Sequence, residues 1–241
     1  MPAHTRLTGR TYQSLLHAIE THAADVGSVE ELTDALSRLG RLAPSPQALA
    51  RIAGDPRFNH LLQRITDLAR QLPPAWAPFV LSNLARFCTP ATTGCFGGAA
   101  SSSAAPLSPT SNPTVRGLLR ALQGRVDAGL PTLSPIAMCT VAYSFARLRF
   151  HPRPPPYLLA AAAAWGDPGG NASAGGGAAV WWRHFVDAVS NRLIEFSPWE
   201  LCQLLRSLLI VQAALPPGEA VLTPAFVTLL LKCCEVGGWV I

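Results

Sequence analysis

Ser134-Pro135-Ile136-Ala137-Met138-Cys139-Thr140-Val141-Ala142-Tyr143-Ser144-Phe145-Ala146-Arg147-Leu148 is the stretch that decides the fold. Its rhythm returns in Ser197-Pro198-Trp199-Glu200-Leu201-Cys202-Gln203-Leu204-Leu205-Arg206-Ser207-Leu208-Leu209-Ile210-Val211. A third copy occupies Pro74–Phe87, and a fainter one without proline occupies Val29–Leu42. Recurrence at tens of residues marks a helical repeat array. Such arrays generally offer an extended surface to another macromolecule rather than a catalytic pocket.

The four copies open 45, 61 and 63 residues apart. Setting aside two Gly/Ala/Ser/Pro-rich stretches brings each spacing to about 40 residues, the length of two ordinary helices with their turns. The phrase is then the second helix of each pair. Serine as cap and proline in the first turn explain Ser134-Pro135 and Ser197-Pro198, because the missing proline N–H has no intrahelical partner there. The fold class expected is all-α: an α-solenoid of stacked helix pairs carrying flexible inserts.

Periodicity predicts helices over 29–42, after a capping signal at Ser28-Val29-Glu30-Glu31, and over 58–72. Others are expected from Pro74 to about Cys88, and over 114–126, 135–149, 156–165, 180–194, 198–214 and 224–236. No stretch alternates as a strand would. The resulting organisation is an N-terminal segment at 1–27, degenerate repeats at 28–90, a flexible insert at 91–113, and repeats at 114–241 interrupted by a low-complexity insert at 166–179.

Apolar residues make up 49% of the 241 and charged ones 14%, so a sizeable core is available. A net charge of +5 is compatible with a polyanionic partner, and equally with a basic solvated face. Six cysteines are spread through helical patterns; Cys139 and Cys202 share one repeat position, where packing explains both, and adjacent Cys233 and Cys234 read as a buried pair. A reducing compartment fits. No apolar run is long enough to span a bilayer. Arg6 and Arg10 among Thr5, Thr8 and Thr11 weakly resemble a transit peptide, with Glu20 and Asp25 soon after.

Aligning the phrases separates two ridges. Leu32, Met138 and Leu201 coincide, as do Leu39, Leu84, Phe145 and Leu208, and Leu42, Phe87, Leu148 and Val211; this is the packing ridge. The opposite ridge reads Asp34, Arg38, Arg41; Phe79, Asn83, Arg86; Thr140, Ser144, Arg147; and Gln203, Ser207, Ile210. Arg41, Arg86 and Arg147 share a register from which Ile210 departs. Arginines one repeat apart can track a phosphate backbone; arginine is also simply a good helix former on a wet face.

From Pro154-Pro155-Pro156-Tyr157 through Phe196-Ser197-Pro198-Trp199-Glu200-Leu201 to Leu204-Leu205-Arg206-Ser207-Leu208, the chain resembles the octotricopeptide repeat of green-algal organellar proteins. Ala142-Tyr143-Ser144-Phe145-Ala146-Arg147-Leu148 is similar to that repeat's second-helix body, and Asn83-Leu84-Ala85-Arg86-Phe87 less so. The likeness runs from about Pro73 onward, with Ser28–Leu42 as a degenerate copy. Tyr157 stands where the family's tryptophan is expected, and no RAP-type domain follows. The resemblance implies single-stranded RNA binding in a chloroplast or mitochondrion, in transcript stabilisation, processing, translation or ribosome association, within an organellar RNA–protein complex. Arg41, Asn83, Arg86, Tyr143, Ser144, Arg147, Gln203 and Arg206 are the candidate RNA-binding residues. A stacked helical surface suits unpaired bases.

No catalytic or metal-binding constellation is expected, and no cofactor. The histidines 4, 17, 22, 60, 151 and 184 are scattered. Cys88 and Cys95 flank an insert without partners nearby, Gly175-Gly176-Gly177 lacks the Lys-Ser/Thr of a phosphate loop, and Asn171-Ala172-Ser173 is a glycosylation sequon that a reducing compartment leaves silent. Trp182 and Phe185 read as core, whereas Trp181 and Tyr143 could stack on a base if exposed. The rival reading is a protein-binding solenoid or structural subunit, which an apolar groove would favour over a basic stripe. The end, Val236-Gly237-Gly238-Trp239-Val240-Ile241, lacks a polar terminal helix, so either docking there or a longer parent chain is expected.

Overall fold

The computed structural model describes residues 7, 9–87, 112–164, 176–217 and 219–236, and of these the backbone alone at 162–164, 176 and 233–236. Among them are eleven α-helices, a few 3₁₀ turns and no strand, which is the all-α class that the sequence predicts. Two compact units divide between Asp127 and Ala128.

Unit one holds α1 (Tyr12–His22), α2 (Val29–Leu42), α3 (Pro46–Ala53), α4 (Pro56–Leu68), α5 (Ala77–Phe87) and nearly all of α6 (Pro113–Gly129). Helix α2 has the bounds its periodicity predicts, and the Ser28 hydroxyl accepts the Glu31 N–H. The Ser28 hydroxyl in turn donates to the Glu30 carboxylate at 2.7 Å. Helix α1 packs on α2 and α4; α2 packs on α4 and α5; α3 packs on α4 and α5. The Phe58 and Phe87 rings meet at 4.8 Å. Arg64 of α4 donates to the carbonyls of Ala23, Ala24 and Val26, satisfying groups that the end of α1 leaves open. Asn112 caps α6 and reaches Asn59 of α4 at 3.0 Å.

Unit two holds α7 (Pro135–Arg147), α8 (Pro156–Ala164), α9 (Gly176–Ser190), α10 (Pro198–Ala214) and α11 (Pro224–Val236). Ser134 and Ser197 cap α7 and α10, and Glu200 completes a true capping box with Ser197. The two helices pack together along most of their length, α8 lies on α9, and α9 touches α11. Trp181, Trp182, Phe185 and Phe145 form one aromatic cluster, with Trp181 stacked on Phe185 at 5.5 Å.

The packing ridge is where the alignment puts it. Leu32, Leu39, Leu84, Phe87, Met138, Phe145, Leu148, Leu201, Leu208 and Val211 are at most 5% exposed, and only Leu42 is half-buried. Burying one such side chain stabilises by about 1.5–3 kcal/mol, more than a surface ion pair contributes. Packing therefore accounts for the shared letters.

Several expectations are corrected. Helices α1 and α3 were not foreseen. Pro74–Trp76 is a 3₁₀ turn, and α5 begins only at Ala77, because Pro78 has no N–H to close an α-turn on Pro74. Helix α4 ends at Leu68 in a 3₁₀ turn, and α7 at Arg147. Helix α9 starts at Gly176, so the predicted insert stops short of Ala179, which is buried at 1% exposure. Trp181 is wholly buried and belongs to the core, not to a stacking surface. Cys202 is exposed although Cys139 is buried, because Cys139 faces α10, its thiol 3.2 Å from the Glu200 carbonyl. The insert at 91–111, residues 166–175, Cys88, Cys95, Asn171, Trp239 and the side chains of Cys233 and Cys234 lie outside the described residues.

Candidate nucleic-acid interface

Arg41 lies at the C-terminal end of α2 and Arg86 at the same register of α5, the helix packed against it. Both are exposed. The two helices meet at Gly40, where a Cβ would be in ordinary contact with Phe87 Cζ at 3.6 Å and Arg86 Cζ at 3.8 Å. The Arg86 guanidinium thus reaches over α2 beside the residue that precedes Arg41. Asp34 stands 3.7 Å from Arg41 in a largely exposed pair, too weak to hold the guanidinium against a phosphate.

In unit two, Arg147 lies over Tyr143, its guanidinium carbon 5.5 Å from the ring centroid, and donates to the Tyr143 hydroxyl. Tyr143 is 37% exposed, so part of its ring stays accessible. Such a pair presents a cation and a π-face together. Arg206 is exposed and Gln203 half-buried on α10.

Asn83 and Ser144 do not reach the surface, correcting the assignment of the whole ridge as outward. They are 4% and 0% exposed, and Ser207 at the same register is 1% exposed. The Asn83 amide donates to the Phe79 carbonyl at 2.9 Å and the Ser207 hydroxyl to the Gln203 carbonyl at 2.8 Å. Bonding back to one's own helix removes most of the cost of burial. In α2 the same register holds Arg38, half-buried, which donates to the Leu7 and Gly9 carbonyls and secures the chain before α1.

The register of Arg41, Arg86 and Arg147 is filled in α10 by Ile210, 45% exposed. Leu209 beside it is exposed too, Trp199 is exposed in the first turn of α10, and α11 exposes Val227, Leu229 and Leu231. Alignment marked Ile210 as a departure, but which apolar residues of α10 stay uncovered depends on packing and was not legible.

Chemistry elsewhere is quiet. Burial pushes the Cys139 thiol up to about 12, with the Glu200 carboxylate adding to the shift, so it is no nucleophile at neutral pH. No group of three or more His, Cys, Asp or Glu able to hold a metal exists among the described residues. Among those residues, no helix is long and apolar enough to cross a membrane. No family model matches the chain, and no curated protein or solved structure matches it either.

Proposed function

We propose that this is an organellar RNA-binding helical-repeat protein acting in post-transcriptional gene expression, in a chloroplast or mitochondrion. It holds single-stranded RNA on stacked helix pairs, to stabilise, process or translate it or to join the ribosome. The resemblance to the octotricopeptide repeat motivates this reading. Like packs on like, α2 on α5, α7 on α10, α1 on α4 and α9 on α11, which supports a solenoid arrangement within each unit. The observation that carries the RNA reading is the pair Arg41 and Arg86, exposed at one register of packed neighbouring helices. Phosphates contacted there would release counterions, making affinity fall with salt.

A mobility-shift titration with mixed-sequence single-stranded RNA at several salt concentrations tests it. Wild-type protein is expected to bind with a salt-dependent affinity. Replacing Arg41 and Arg86 together by Ala should flatten the log–log slope by about 1.4 if each meets one phosphate. Absence of binding at low salt overturns the reading.

A second reading, a protein-binding scaffold or structural subunit, is favoured by the exposed Trp199, Leu209 and Ile210 of α10. It leaves the arginine register without a role.

A further inference from the structure

One stripe of the repeated phrase is buried in three copies and uncovered in the fourth. In α2 it runs through Thr33, Leu36 and Gly40, in α5 through Pro78, Leu81 and Ala85, and in α7 through Cys139, Ala142 and Ala146, all of them buried. Gly40 meets Phe87 and Arg86 of α5, and the Cys139 thiol meets the Glu200 carbonyl of α10. In α2 and α7 the cover is therefore the next copy of the phrase. The same positions of α10 are Cys202, Leu205 and Leu209. Cys202 is exposed, Leu205 is half-buried and Leu209 is 53% exposed.

Helix α11 follows α10 in the chain but packs on α9 and on the 3₁₀ turn Leu193–Glu195. The uncovered stripe continues at helical spacing to exposed Trp199 before Cys202 and to exposed Ala213 after Leu209, about four turns in all. Its one charge is Arg206, exposed between Cys202 and Leu209, and no carboxylate shares the stripe. The nearest in sequence, Glu200, is held in the capping box with Ser197. Contiguous exposed apolar surface of this kind marks an interaction site.

We propose that α10 docks an amphipathic helix of a partner protein, laid along this stripe as α10 itself is laid on α7. The partner brings apolar side chains to Trp199, Cys202, Leu205 and Leu209, and a carboxylate to Arg206. A helix is the occupant because the equivalent stripes of α2 and α7 each take one. The carboxylate follows from Arg206, since covering a guanidinium without a counter-charge is costly, whereas pairing it fixes register and rejects cationic partners. A second copy of α10 fits poorly, because two such stripes centred on each other set Arg206 against Arg206. Single-stranded RNA would meet one cation here, and beyond Trp199 the stripe offers its bases no aromatic face. The proposal stands whether or not Arg41 and Arg86 hold RNA.

Fluorescence anisotropy of two labelled synthetic helices titrated with the full chain tests this. Both are end-capped peptides of about 18 residues, built of Ala and Gln with leucines at i, i+4, i+7 and i+11. One carries a single Glu beside the central leucines, and the other a Lys in its place. The Glu peptide is expected to bind saturably, and the Lys peptide at least about tenfold more weakly. Leu209→Glu should weaken the Glu peptide at least about tenfold. Its melting temperature should stay near that of wild type, because Leu209 already faces solvent and Glu is a good helix former. Arg206→Glu should reverse the preference between the two peptides, which general stickiness of an apolar surface does not do. No saturable binding of the Glu peptide, equal affinity for both peptides, or an unchanged preference in Arg206→Glu overturns the proposal. Self-association in sedimentation velocity that Leu209→Glu abolishes would assign the stripe to a second copy. Displacement of the Glu peptide by mixed-sequence single-stranded RNA, retained when Arg41 and Arg86 are both replaced by Ala, would assign it to RNA. Either result also overturns the proposal.

Discussion

Phe150 donates its backbone N–H to the Phe145 carbonyl at 3.0 Å, and the two rings meet at 5.1 Å. With Arg149 donating to the Ala146 carbonyl, this is a complete Schellman ending to α7, including its apolar clasp. Arg149 occupies the left-handed position that glycine normally fills. An L-residue there costs about 1–2 kcal/mol, part of which glycine's greater unfolded-state freedom offsets. Arg149→Gly is therefore expected to raise stability by up to about 1 kcal/mol, seen as an increased urea midpoint with unchanged slope. Arg149→Val, whose branched side chain tolerates this conformation worst, should lower it. A destabilised glycine variant would show that the Arg149 side chain contributes more to packing than its backbone strain removes.

Asp55 and Arg57 make the start of α4 sensitive to acid. The Asp55 carboxylate accepts the Arg57 backbone N–H at 2.9 Å and the guanidinium at 2.9 and 2.7 Å. Hydrogen bonding from Arg57 holds Asp55 below the usual carboxylate range, against a smaller opposing effect of burial. A depressed native pKa means that the unfolded chain binds the proton first, so this contribution is present above about pH 4 and fades as pH falls through the native value. Asp55→Ala should cost about 1 kcal/mol at neutral pH through the lost cap. Asp55→Asn keeps an acceptor and should cost less. In urea titrations the gap between wild type and Asp55→Asn should narrow as pH drops through 4 toward 3. A gap independent of pH would mean that the ion pair contributes nothing.

Cys139 and Cys202 share a repeat position and differ in surroundings. Cys139 is 3% exposed, with its thiol raised to about 12, whereas Cys202 is exposed. Thiolate is the reactive form. Iodoacetamide at mildly alkaline pH should therefore modify Cys202 in the folded protein and Cys139 at least about a hundredfold more slowly. In urea the two should react alike. Peptide mapping by mass spectrometry gives both rates, and fast native modification of Cys139 would contradict the packing of α7 on α10.

The helix pattern was largely legible because its signals are local. Ser134-Pro135 and Ser197-Pro198 announce α7 and α10 by chemistry that needs no partner. Ser45-Pro46 carries the same signal for α3, where the Ser45 hydroxyl accepts the Ala48 N–H, yet Pro44 and Pro46 read as punctuation around only eight helical residues. Helix α1 was hidden by the basic, hydroxyl-rich start that suggested targeting, although Thr11 caps it and Leu15, Leu16 and Ile19 line its buried side. Of the candidate site, the arginines were legible, because long cations at the edge of an apolar ridge come out into solvent. Asn83 and Ser144 were not: the Asn83 amide folds back on its own helix to the Phe79 carbonyl, Ser144 is buried with its hydroxyl unpartnered, and the ridge pattern announces neither. The uncovered stripe on α10 was least legible. Cys202, Leu205 and Leu209 stand at positions that the other copies bury, and whether a helix covers them is decided by packing rather than by their own letters.

Ile210 provides the sharpest test between the RNA and scaffold readings. It replaces the arginine found at this register in three other copies, and it is 45% exposed, so a longer cation can extend into solvent without disturbing Leu208 or Val211 behind it. Arginine also has the higher helix propensity, so Ile210→Arg should fold with stability within about 0.5 kcal/mol of wild type. If the register follows an RNA backbone, one further phosphate contact should steepen the salt dependence by about 0.7 and tighten binding at low salt. A tightening caused only by added net charge would appear equally in a control, Leu209→Arg, 53% exposed on the same helix but off the register. Equal gains in both variants would reduce the aligned arginines to a solvated face, and the apolar side chains of α10 would then carry the interaction.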